Sequence, residues 1–185
     1  MRNLIYSMSV SLDGFIAGPG GEIDWSAPDD ELHLFHNEEA RALGTHLCGR
    51  RLYETMVYWE TADQGPALGD TEAEFARIWQ DLPKVVFSTT LDKVEGNTRL
   101  MREGLAEEVA RLKDEPGKDI AVGGAGLAAA AIELGLVDEF RLFLIPVVLG
   151  GGTPYFPAVA KRIDLELVET HTFGSRVVYV RCRLA

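Results

Sequence analysis

Residues Asp119 to Ala131 read DIAVGGAGLAAAA. Ile120, Ala121 and Val122 have the unbroken apolar character of a short buried strand. Four residues, Gly123-Gly124-Ala125-Gly126, then lead into a helix of small side chains. Glycines let a backbone come close to a ligand, because no Cβ intervenes. A helix start offers unpaired N–H groups and the positive end of a dipole, a combination suited to phosphate. The same turn can also serve packing alone. Its GGxG form differs from the GxGxxG dinucleotide fingerprint, and it falls late in the chain.

Two other strand ends resemble it. Thr45 to Cys48 reads as a strand, followed by Gly49-Arg50-Arg51 and a helix beginning at Leu52 to Trp59. Cations at a helix start oppose the dipole unless they meet an anion. Lys84 to Phe87 is a buried strand closed by Ser88-Thr89-Thr90, whose hydroxyls can bind an anion or cap a turn.

The remaining chain supplies strands and helices in alternation. Leu4 to Leu12 is a first strand, Asp13-Gly14 a turn, and Phe15-Ile16-Ala17 a brief apolar patch. A glycine loop from Gly18 to Gly21 ends at Ile23-Asp24-Trp25, where Trp25 can plug the core or wall a ligand site. Helix-start signals at Ser26 to Asp30 open a helix running to about Leu43. His33 and His36 share it at i, i+3; with no third ligand evident, solvated or hydrogen-bonded histidines are expected there rather than a metal site. Glu72 to Gln80 and Leu105 to Lys113 are amphipathic helices, and Asn97 to Met101 is a short strand. Asp138 to Leu149 reads as a long strand interrupted at Pro146, with an edge or bulge expected at the proline. Asp164 to Phe173 and Arg176 to Leu184 form a terminal antiparallel hairpin.

This order predicts one α/β domain over residues 1–185. A mostly parallel sheet carries helices on both faces and antiparallel strands at the end. Ligands of such sheets sit at the carboxyl ends of the strands, where the three polar or glycine-rich ends converge. A net charge of −11 argues against a nucleic-acid partner. The longest apolar run, Leu142 to Leu149, is too short to span a membrane. Cys48 and Cys182 read as reduced thiols of a cytoplasmic protein.

Several motifs, in order, resemble the RibD C-terminal domain family of the dihydrofolate-reductase-like superfamily. They are SLDGFIAG (Ser11 to Gly18), Trp25, GRRLYE (Gly49 to Glu54), VVFSTTL (Val85 to Leu91), VGGAGL (Val122 to Leu127) and PVVLGGGTPYF (Pro146 to Phe156). The resemblance implies a three-layer α/β/α dihydrofolate-reductase-like fold and an NADPH site. Gly49, Arg50, Arg51, Ser88 and Thr89 match positions around the adenosine 2′-phosphate. Gly123, Gly124, Ala125, Gly126 and Leu127 match the pyrophosphate turn, and Ser9, Ile16 and Ala17 match the nicotinamide strand and loop. The Gly123–Gly124 bond matches one that is cis in the reductases.

The function implied is reduction of a small heterocyclic substrate, most like the 5-amino-6-(5-phosphoribosylamino)uracil reductase of riboflavin biosynthesis. A dihydrofolate or pterin reductase and a non-catalytic NADP-binding module are the competing expectations. Dihydrofolate reductases carry an acid on the first helix and a Thr on a later strand. Here Asp29, Asp30 and Glu31 lie nearby, while Leu144-Ile145-Pro146 holds no Thr. Asp30 is the first candidate for proton source, followed by Asp24 and Asp13, and Trp25 is a candidate substrate contact. Lys161 and Arg162 are candidates to hold a substrate phosphate. A homodimer is expected, as is usual in this fold family.

Overall fold

Side-chain alternation along the central strands sorts the interior into two cores. In the computed structural model, which describes Met1 to Ala185, strand β1 (Leu4–Ser11) turns Leu4, Tyr6 and Val10 to one face of the sheet. Ile5, Ser7 and Ser9 face the other. Strands β3 (Leu43–Gly49), β4 (Lys84–Phe87), β6 (Asp119–Gly123) and β7 (Glu139–Ile145) divide their residues likewise. Leu47, Val85, Val122 and Phe140 join the first core. Cys48 and Val86 face α2 (Arg50–Met56) and α3 (Asp70–Asp81), and Phe143 faces α1 (Asp30–Arg41).

The sheet has eight strands in the order β5-β4-β3-β6-β1-β7-β10-β9, with β5 at Thr98–Met101, β9 at Leu165–Thr172 and β10 at Val178–Leu184. The six strands from β5 to β7 are parallel. The C-terminal hairpin adds β10 antiparallel to β7 and β9 antiparallel to β10. The terminal hairpin and mostly parallel sheet are therefore as the sequence predicts. A second sheet escapes it: β2 (Phe15–Ala17) pairs antiparallel with β8 (Thr153–Pro154). Gly152 makes this possible, since a Cβ there would lie 2.0 Å from the Ala17 carbonyl oxygen.

Helices α4 (Leu105–Asp114) and α5 (Ala125–Glu133) cover the first face through Leu105, Val109, Leu112, Ala128, Ala131 and Ile132. Each large aliphatic so buried contributes about 1.5–3 kcal/mol. Helices α1 (Asp30–Arg41), α2 (Arg50–Met56) and α3 (Asp70–Asp81) cover the second face. They form two separate clusters, one around Leu32, Phe143 and Tyr179 and one around Tyr53, Trp79 and Val86. A cavity lies between α1 and α3 over the middle of the sheet.

The start of α1 falls within the expected Ser26 to Asp30, while two other boundaries differ from the sequence expectation. Asp24–Ser26 is a short 3-10 turn, and α1 starts at Asp30, capped by Asp29 accepting from the Leu32 N–H at 2.9 Å. Pro28 lies between the two, and the residue before a proline is held away from helical geometry. At the other end, Leu43 belongs to β3. Strand β7 stops at Ile145 and is interior, flanked by β1 and β10. Pro146 has no N–H to continue the ladder, so it ends the strand rather than interrupting it. The Gly123–Gly124 bond is trans, as are all peptide bonds in the chain. The turn is accomplished instead by Gly124 at φ 90°.

Candidate functional site

Gly124 lies where β6 ends and α5 begins. Its positive φ is one that side chains rarely adopt. The carbonyl of Gly124 accepts the first helical bond, from Ala128 N at 2.9 Å. By helix geometry the N–H groups of Ala125, Gly126 and Leu127 have no partner within α5. A Cβ on Gly126 would meet open space, so an approaching group has room there. On Gly123 a Cβ would lie 2.3 Å from Leu52 Cδ2 and 3.0 Å from His46 Cε1. Leu52 of α2 thus sits directly against the turn.

Beside this turn is a recess of about 500 Å³ at the carboxyl ends of β4 and β5. Arg50, Ser88, Thr89, Thr90 and Arg102 line it together with Leu127. Arg50 Nη1 donates to Thr90 Oγ1 at 3.0 Å, and its Nε stands 3.6 Å from Glu54. Ser88 Oγ accepts from the N–H groups of Thr90 (3.2 Å) and Leu91 (3.1 Å), so the hydroxyl both shapes and faces the turn. Arg102 Nη1 donates to the Ser88 carbonyl at 3.3 Å. Two guanidinium groups and three hydroxyls with free capacity suit a phosphate dianion. The donor set, the open space over Gly126 and the α5 start fit a phosphorylated dinucleotide.

The cavity between α1 and α3 holds about 520 Å³. Trp59 and Phe75 form one wall, stacked edge to face at 4.9 Å. Ser7 and Ser9 of β1 and Phe143 of β7 form the floor. From α1 come His33 and His36; His36 lies 4.4 Å from the Phe143 ring, centroid to centroid. Burial, with the neighbouring His33 charge, lowers the His36 pKa to about 4, so the ring is neutral. His46 is also brought down to about 4, mainly by burial, and its Nδ1 lies 3.2 Å from Cys48 Sγ. Burial pushes the Cys48 thiol up to about 12, which makes it a poor nucleophile. The cation on the floor, Arg141, is fully engaged. It donates to Glu39 Oε2 at 2.6 Å and to Glu139 Oε1 at 2.6 Å, and Glu139 also holds Arg181 at 2.9 Å.

The two sites meet at α2. Arg50 faces the recess, while Leu52 and Met56 face the cavity. Among the residues singled out from sequence, Arg50, Ser88, Thr89 and Leu127 converge on the recess, and Gly49 packs against the turn, with Leu127 Cβ 3.5 Å from its Cβ position. Ser9 reaches the cavity. Arg51 is exposed and faces neither site. Ile16 is buried in the first core, and Ala17 belongs to the small sheet beside Gly152.

None of the three aspartates lines the cavity. Asp30 and Asp24 are exposed at helix starts. Asp13 accepts from Ser11 Oγ (2.7 Å), Leu149 N (3.1 Å) and Gly150 N (2.7 Å), which makes it a loop clamp. These bonds, the Ser11 hydroxyl first, hold its carboxyl below the usual range. Trp25 packs on the Leu32 cluster and donates to the Glu22 carbonyl at 2.9 Å, as a core plug would. Arg162 is exposed and paired with Asp164. His36 is half-buried against Phe143, and no group of three or more His, Cys, Asp or Glu side chains is placed to hold a metal. Arg102, His46 and Arg141 carry no local sequence signal, since only the sheet order brings them to these sites.

The model of the RibD C-terminal domain matches residues 2–179. The uncharacterized protein YyaP of Bacillus subtilis (strain 168) is 39% identical over 180 residues, covering 97% of this chain and 93% of that protein. In fold, the chain is similar to a putative riboflavin biosynthesis protein from Shewanella sp. PV-4, with TM-score 0.75 and 19% identity over 100% of this chain and 99% of that one. It is similar also to a diaminohydroxyphosphoribosylaminopyrimidine deaminase/5-amino-6-(5-phosphoribosylamino)uracil reductase from Thermotoga maritima (TM-score 0.68, 15% identity), covering 100% of this chain and 57% of that one. Dihydrofolate reductase from Enterococcus faecalis, complexed with NADP(H), gives TM-score 0.65 at 15% identity, with 98% and 96% of the two chains covered. No helix is long and apolar enough to cross a membrane.

Proposed function

The chain belongs to the RibD C-terminal domain family, and from that premise we propose that it is an NADPH-dependent reductase of a small heterocyclic substrate. The observation that carries this reading is the junction at Leu52, where a phosphate-suited recess and a largely apolar cavity adjoin across the Gly123–Gly124 turn. Arg50, Arg102, Ser88, Thr89 and Thr90 would hold the adenosine phosphate. The N–H groups at the start of α5 would take the pyrophosphate. The nicotinamide supplies a hydride when bound. Ser9, on the strand that floors the cavity, would fix the ring edge by its hydroxyl. Trp59, Phe75 and Phe143 would orient the substrate plane and keep water out, so that positioning supplies much of the rate. His36, neutral in this cavity, and His33 would hydrogen-bond the substrate ring through their imidazole nitrogens.

The test is a titration of NADPH followed by quenching of tryptophan fluorescence. We expect micromolar binding that weakens at least tenfold in Arg50→Ala. Binding weaker than millimolar, or affinity unchanged in Arg50→Ala, would overturn the assignment.

A further inference from the structure

We infer that the cavity between α1 and α3 takes an uncharged, flat heterocycle without a phosphate group. This deepens the reductase reading above and rests on it.

The inference follows from how charge is distributed between the two sites. The recess beside α5 presents Arg50 and Arg102 with Glu103, and neither guanidinium has a carboxylate closer than 3.6 Å. The cavity presents no such free guanidinium. Its carboxylates are Glu39 and Glu72, and its one guanidinium, Arg141, is held between Glu39 and Glu139 at 2.6 Å each. Arg181 adds a second positive charge to that group, but it too is paired, with Glu139 at 2.9 Å and Glu169 at 3.8 Å, so no guanidinium is left free. Glu72 adds a further carboxylate at the exposed rim of the cavity, its Oε2 accepting from Gly69 N at 3.1 Å at the start of α3. A phosphate monoester carries a charge of about −1.5 to −2 at neutral pH. Entering this space it would lose water and gain no cationic fork.

The same walls suit a neutral ring. Trp59 and Phe75 offer apolar area, and Phe143 closes the floor. The imidazoles of His36 and His46 are neutral there, and a neutral imidazole both donates and accepts. A ring carrying alternating N–H and C=O groups can satisfy both. The 5-amino-6-(5-phosphoribosylamino)uracil reductase named above acts on a substrate with a phosphate. The cavity of this chain therefore points to a different substrate from that of its structural neighbour.

The experiment uses two matched pairs on the intact protein, read by isothermal titration: 5-amino-6-ribosylaminouracil with its 5′-phosphate, and 6-hydroxymethylpterin with its diphosphate. We expect at least one unphosphorylated ring to bind below millimolar, and its phosphorylated partner to bind at least tenfold more weakly. In Glu72→Gln, which keeps an oxygen to accept from Gly69, that ratio should fall to threefold or less. Equal or tighter binding of the phosphorylated member, binding of neither unphosphorylated ring, or a ratio unchanged in Glu72→Gln would overturn the inference. The NADPH titration above is independent of these ratios. Its failure would strike the reductase reading, while failure of the matched pairs alone would strike only the substrate class.

Discussion

Tyr155 Oη donates to the Tyr6 carbonyl at 2.9 Å, and the two rings stack at 4.2 Å between centroids. The pair ties the segment after β7 to the first strand. Tyr6 Oη, by contrast, is buried without a partner. The two hydroxyls should therefore respond oppositely to removal. Tyr155→Phe is expected to cost about 1 kcal/mol. Tyr6→Phe, which removes an unsatisfied group, is expected to be neutral or stabilising. Urea denaturation of the two variants checks this, and an equal loss in both would contradict it.

Lys84 is wholly buried, with Nζ 2.6 Å from the Trp79 carbonyl, 2.9 Å from that of Leu82 and 3.0 Å from Glu60 Oε1. Lys84→Met leaves the Glu60 carboxylate buried and unpaired, at a cost of about 3–5 kcal/mol. Adding Glu60→Gln to that variant should recover part of the loss. The double-mutant cycle in chemical denaturation measures the recovery, and strict additivity would mean that the pair does not act as one.

His36 and His46 are both neutral in the fold and titrate at about pH 4, against about 6.5 in the unfolded chain. Between those values the unfolded chain binds protons that the folded one refuses. Their contribution is fully present above about pH 6.5 and is lost as pH falls towards 4. The carboxyls of Glu74 and Glu108, lowered chiefly by bonds from Asn37 and Arg111 respectively, act in the same direction at lower pH. The urea midpoint should fall between pH 7.5 and pH 5, and His36→Phe should flatten part of that slope. A midpoint that does not change with pH would contradict the burial of both rings.

Asp13 clamps the Leu149 and Gly150 amides to the first strand. Asp13→Asn keeps one acceptor oxygen and loses the charge. We expect faster limited proteolysis at Gly150 to Gly152, with the binding of NADPH within a few-fold of wild type. Unchanged proteolysis would remove the clamp role.

Much of the fold can be read from the sequence because its strands are short apolar runs ended by glycine, proline or hydroxyl residues. Lys84–Phe87 matches the expectation residue for residue. The small sheet of β2 and β8 has no such pattern. It exists because Gly152 permits a close approach across more than 130 residues of chain, and no local signal encodes that. The recess is legible in sequence because arginine at a helix start is locally unfavourable and so asks for an anion. The cavity is not. His36 looks like any helical histidine, and only its packing on Phe143 makes it neutral and cavity-facing. The three aspartates carry the charge an acid needs, but Asp24 and Asp30 are exposed at helix starts and Asp13 is a clamp.

Helix α2 is seven residues long and belongs to both sites, with Arg50 on one side and Leu52 and Met56 on the other. A ligand that shifts α2 to improve its own fit must alter the neighbouring space as well. Thermodynamic reciprocity would then hold: whatever factor a ligand in the recess applies to the affinity of one in the cavity, the second applies to the first. Leu52, packed on the Gly123 turn and lining the cavity, is the side chain that both spaces share.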